Sequence, residues 1–263
     1  MRILLLIFVS FFAFTDDHDE MYQEGWAEYV YCSVKDGLSD QKAEQMFERR
    51  MKAYAEMAES LDDEVGMVML WPLYTNEEMR GGDDMFFVTH APTMKALGEH
   101  NMAMWAAQEA KKLPESPLEC DNASTAFQRI GPGSSDEQTN SFVVDYYPCK
   151  YKEGADPQAM RAAQATFAKE HYANGAEGNY RYIYPAAGSP RGDGPDFWVS
   201  TSSPTMASWG ESTDIFWEKS YGSEAERERW NHMTCDNSST FWCFAASTRI
   251  PEIPRVNKES IYF

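Results

Sequence analysis

Three short segments occur twice in this chain, in the same order and at nearly the same spacing. Cys32-Ser-Val-Lys-Asp-Gly37 returns as Cys149-Lys-Tyr-Lys-Glu-Gly154, and Pro92-Thr-Met-Lys-Ala-Leu-Gly-Glu99 returns as Pro204-Thr-Met-Ala-Ser-Trp-Gly-Glu211. Cys120-Asp-Asn-Ala-Ser-Thr125 returns as Cys235-Asp-Asn-Ser-Ser-Thr240. The offsets are 117, 112 and 115. An offset that holds across three matches predicts two copies of one fold, here residues 21–130 and 141–250. The turn-rich stretch 131–140, Gly131-Pro-Gly-Ser-Ser-Asp-Glu-Gln-Thr-Asn140, reads as their linker, and 251–263 as a C-terminal tail.

Both copies show the same element order. Gly25–Cys32 and Phe142–Tyr147 are aromatic and β-branched, as strands are. A helix follows: Ala43, Met46, Phe47, Tyr54, Met57, Ala58 and Leu61 form one stripe at the helical period. In the second copy Asp156-Pro157 marks the start, a capping carboxylate before a proline at the first helical position. Second strands, 65–71 and 180–184, end at Pro72 and Pro185. Third strands, 85–90 and 197–202, lead to helices opening at Pro92 and Pro204, the latter with Ser203 as its expected N-cap. Fourth strands follow the repeated Cys-Asp-Asn and end in Arg129-Ile130 and Arg249-Ile250. The order is βαββαβ twice, the split βαβ or ferredoxin-like unit.

Two such units in one chain, with their aromatic sheets, resemble the dimeric α+β-barrel superfamily. The resemblance implies two ferredoxin-like sheets packed against each other as an intramolecular pseudo-dimer about a pseudo-twofold axis, so that one polypeptide acts as a monomer. That superfamily includes monooxygenases, isomerases, haem-degrading and haem-peroxidase proteins, so it leaves the cofactor and the reaction open.

In a ferredoxin-like unit the first and fourth strands are antiparallel neighbours, and a repeated cysteine falls where they meet. The expected disulfides are Cys32–Cys120 and Cys149–Cys235, with Cys243 left as a buried thiol. No cysteine or histidine pair has metal-ligand spacing, so no metal is expected. The N-terminus joins one arginine to an apolar run, Ile3–Phe14, and then to Asp16, Asp17, Asp19 and Glu20. Residues 1–20 thus read as a secretory signal with an acidic segment, which places the mature chain outside the cytoplasm, secreted or periplasmic. The net charge of −19 disfavours nucleic acid and anionic lipid as partners.

Candidate site residues follow from the repeat. Glu28 and Asp145 occupy equivalent positions on the first strands, where a carboxylate is either paired or functional. Arg129 and Arg249 on the fourth strands are their expected structural partners. His90 ends the third strand of the first copy, where it would serve as a base; its plainer reading is a capping or core histidine, since Ser202 replaces it in the second copy. Trp71 and Trp105 in one copy, and Tyr184, Trp209 and Trp217 in the other, would wall a space between sheet and helices that takes a small apolar or aromatic molecule. Such a stripe also makes an ordinary core.

Two functional classes fit this reading. One is a secreted enzyme or binder with an aromatic pocket, monooxygenase- or isomerase-like, with Glu28 or His90 as base. The other is a disulfide-stabilised, non-catalytic binding or structural protein.

Overall fold

Alternation of side chains along a strand decides which face each residue takes, and here it separates an inner from an outer set. The computed structural model describes residues 22–61, 64–75, 83–134, 141–189 and 194–245. The expected signal segment, the expected tail and part of the expected linker lie outside the described residues. The first half runs β1 (Gln23–Val34), α1 (Asp40–Leu61), β2 (Gly66–Tyr74), β3 (Met85–Ala91), α2 (Met94–Glu109) and β4 (Leu118–Ile130). The second runs β5 (Ser141–Tyr151), α3 (Pro157–Ala173), β6 (Asn179–Pro185), β7 (Phe197–Ser203) and α4 (Met206–Ile215). It then continues with a π-helical turn (Phe216–Ser220), α5 (Glu224–His232), β8 (Met233–Cys235) and β9 (Ser239–Ala245).

The strand order is β4-β1-β3-β2 in the first half and β9-β5-β7-β6 in the second, all antiparallel. The halves meet edge to edge as well as face to face. Ala126–Ile130 of β4 pairs with Arg181–Pro185 of β6, and Val68–Tyr74 of β2 pairs with Thr240–Ala245 of β9. Eight strands thus close into a barrel, which removes the free edges that would otherwise template aggregation. The short β8 pairs with the outer end of β5.

The barrel lumen is filled by residues from both halves, among them Ala27, Leu70, Phe86, Val88, Val144, Phe241 and Cys243. Outside it, α1 lays Met51, Tyr54 and Ala58 on Met67 of the first sheet. On the second sheet, Met160 and Ala168 of α3 pack with Tyr180, Tyr182 and Phe197. Both expected disulfides are present, each between directly opposed strand residues, and Cys243 is a buried thiol.

Asp156 caps α3 by accepting from the Gln158 N–H, with Pro157 behind it. The cap of α4 differs from expectation. Thr205, not Ser203, accepts the Ser208 N–H at 3.0 Å, while the Ser208 hydroxyl receives the Thr205 N–H at 3.0 Å. Two reciprocal bonds satisfy two open donors, which a cap at Ser203 would not do, and Pro204 is left just before the helix. Thr93 caps α2 in the same place, accepting from Ala96.

Because the two seams share strands between halves, both halves should unfold in one transition. Leu70, 2% exposed on a seam strand, tests this. Leu70→Ala should lose about 2–5 kcal/mol and lower the urea midpoint of probes in both halves together. Two separate midpoints would show that the seams do not couple the halves.

Candidate functional site

The two repeated carboxylates sit in matching rows on the outer faces of the sheets. Glu28 lies between Thr89 of β3 and Thr125 of β4, and Asp145 lies between Thr201 of β7 and Thr240 of β9. Each acid is then bonded to the second helix of its own half. Asn101 of α2 donates through Nδ2 to both Glu28 oxygens at 3.1 Å. Trp209 of α4 donates through Nε1 to Asp145 Oδ2 at 2.8 Å, and the Thr240 hydroxyl donates to Oδ1 at 2.5 Å. Asp145 is 7% exposed. Burial pushes its carboxyl above the usual range, and the two donors offset part of that rise.

These bonds correct one expectation. Arg129 pairs with Glu24 at 3.0 Å, its direct partner in the β1–β4 register, and not with Glu28 four residues along. Arg249 lies outside the described residues. The acids therefore act as clamps between sheet and helix. Thr89 and Thr201 were legible in principle, since each stands three residues before the repeated Pro-Thr-Met. Asn101 was not, because the repeat places Thr213 at its equivalent position.

The other candidates are dispersed. His90 is opposite Ala27 in the β1–β3 register, and Ala27 faces the lumen, whereas Glu28 faces the helices. The structure thus puts the two proposed bases on opposite sides of one sheet. Burial and the nearby Arg181 charge hold His90 down at about 3, so it stays neutral. Trp71 packs on the outer face against the cluster that holds Met69 and Phe244, opposite Trp242 of β9. Tyr184 packs beside Phe197 and, across the seam, Phe127. Trp105 and Trp217 are 69% and 62% exposed and do not line the sheet–helix space.

Trp209 has a second neighbour that sequence reasoning missed. Tyr74, 61% exposed, stacks on it with ring centroids 5.7 Å apart and planes 21° off parallel. Tyr74 belongs to the first half and lies opposite Thr240 across the β2–β9 seam. Pro72 was expected to end this strand, but a register shift between Pro72 and Tyr74 accommodates the proline and lets pairing continue. Tyr74, Trp209, Asp145 and Thr240 thus form one continuous constellation: an exposed aromatic ledge above a buried acid. At the Cys32–Cys120 end, a separate groove of about 190 Å³ is lined by Asp36, Asp83, Glu119 and Asp121.

No protein-family profile matches the chain, and no curated protein matches it. Solved structures do. A mutant chlorite dismutase from Candidatus Nitrospira defluvii is similar with a TM-score of 0.50 at 8% identity, over 88% of this chain and 96% of that one. A heme-binding protein from Thermus thermophilus has a TM-score of 0.47 at 12% identity, over 85% and 92%. A dye-decolorizing peroxidase from Bacteroides thetaiotaomicron has 0.48 at 10% identity, over 85% and 94%. The first likeness shows the fold alone, a closed antiparallel barrel of eight strands with helices outside it.

The residues present do not fit a haem. A haem needs an apolar slot and an axial ligand free to face it. Between the second sheet and its helices that space is taken by Tyr180, Tyr182, Phe197 and Met160, all 1% exposed or less. The described histidines bond Gln128 (His90), Tyr54 (His100), Ser220 (His171) and Glu228 (His232), contacts that orient a ring and do not occupy both of its nitrogens, so the misfit rests on the filled layer.

The raised carboxyl of Asp145 sets a pH dependence with a definite sign. The folded chain holds this proton to a higher pH than the unfolded chain, so ionisation weakens folding as pH rises through the folded value. Asp145→Asn removes that loss, and its amide can accept from Trp209 and donate to Thr240. Urea titrations between about pH 4 and 7 should show the variant gaining on the parent as pH rises. A gap that does not widen would mean the carboxylate is well solvated.

Proposed function

We propose that this chain is an exported binding protein made of two tandem ferredoxin-like copies, which takes a small apolar or aromatic molecule at the seam between them. One polypeptide then supplies, about an internal pseudo-twofold axis, what two subunits would otherwise supply. Residues 1–20 provide the export signal, and two disulfides suit the oxidising compartment beyond it. No described helix is long and apolar enough to cross a membrane.

The observation that carries this reading is the stack of Tyr74 on Trp209. An aromatic ring held open to solvent loses the burial that would normally stabilise it, while its partner indole is fixed from below by a bond to Asp145. That pre-organisation lowers the entropy cost of placing a flat ligand on the ledge. The acidic surface favours neutral or cationic ligands. In this reading Glu28 and Asp145 anchor their helices, while Trp105 and Trp217 take no part.

A catalytic reading, monooxygenase- or isomerase-like, is favoured by one observation, the raised pKa of Asp145. Such a carboxyl can hold a proton and release it to a ligand on the ledge.

The test uses 2-naphthol as probe and tryptophan fluorescence as readout. Saturable quenching is expected, weakened about 2–10-fold in Tyr74→Ser, the worth of one aromatic contact. Because Tyr74 is exposed, the variant should fold as the parent does. Equal affinity in both proteins, or no saturable binding in either, would remove the ledge as the site.

A further inference from the structure

The barrel lumen contains a positive charge that the ledge does not use. Arg181 of β6 donates from Nη1 to Gln128 Oε1 at 3.4 Å. Gln128, 1% exposed, donates through Nε2 to the Tyr29 hydroxyl at 2.9 Å, and Tyr29 is bonded in turn to Tyr146 of the other half. His90 also bonds Gln128. The chain of contacts therefore crosses the lumen from β6 through β4 and β1 to β5, and the Arg181 charge acts on Tyr29, Tyr146, His90 and Cys243 alike.

Every one of those neighbours is neutral. Burial pushes the two phenols and the Cys243 thiol upward and holds His90 unprotonated. Among the described residues, no carboxylate lies within ion-pair distance of Arg181. The Arg181 guanidinium offers five N–H donors, and among the described residues only Gln128 accepts from it, at 3.4 Å. A charge partly withdrawn from water among neutral groups attracts a mobile counter-ion. Arg181 retains partial exposure, and its partner on β4 is Ile130, the last residue of that strand.

We infer that the Arg181 end of the lumen is a binding site for a small monovalent anion of the chloride or nitrate class. Arg181 supplies the charge. Ser200, opposite Arg181 in the β6–β7 register and 1% exposed, places a hydroxyl on the same side. The aromatic filling of the lumen from both halves limits the occupant to a small ion. The site is independent of the seam ledge, which lies on the outer face of the sheet.

Chloride-35 NMR on the oxidised full chain tests it, with sodium chloride as the probe. Excess line broadening is expected, displaced by sodium nitrate, and reduced about tenfold in Arg181→Gln. Arg129→Gln, which removes a guanidinium already paired with Glu24, should keep the broadening. Equal broadening in the parent and Arg181→Gln, or loss in both variants, overturns the site. Crystals of the unsubstituted protein soaked in sodium bromide give a reading that needs no variant. An anomalous peak within about 4 Å of the Arg181 guanidinium supports the site, and water alone at that place overturns it.

Discussion

Backbone pairing at two seams, β4 with β6 and β2 with β9, is the constraint on which the rest of this structure depends. Each half alone is a four-stranded sheet with two bare edges and one uncovered face. Closing the ring satisfies the edges and turns the two uncovered faces into one lumen, where Phe86 and Leu70 of one half meet Phe241 and Val144 of the other. The closure also has a local effect. It draws β2 past Pro72 far enough to set Tyr74 over Trp209, so this exposed aromatic contact exists only because the halves are joined.

Much of this was legible because it is local or repeated. The cysteines of the repeated motifs pair within each half, since the first and fourth strands of a ferredoxin-like unit are neighbours. Asp156-Pro157 starts a helix for reasons contained in two residues. The equivalence of Glu28 and Asp145 survives as matching rows of threonine, acid and threonine.

What failed depended on strand parity and on contacts between the halves. Glu28 and His90 were read as one site, yet the register sets Glu28 opposite Thr89 and His90 opposite Ala27, on the other face. Trp105 and Trp217 fall on outward faces of their helical segments, where apolar spacing alone gave no warning. The arginine expected to hold Glu28 pairs with Glu24, because direct cross-strand opposition outweighs a longer reach. Tyr74 carried no repeat and followed a proline, and only the seam explains its position.

The same filling that makes the protein stable leaves no apolar slot between the second sheet and its helices. With Tyr180, Tyr182, Phe197 and Met160 packed between sheet and helix, that layer is a core, and the outer ledge is the proposed contact surface. Haemin titration followed by desalting, read by Soret absorbance on the oxidised full chain, tests this most directly. The account predicts that the haem band is lost with the small molecules. A stoichiometric Soret band retained on the protein would contradict it.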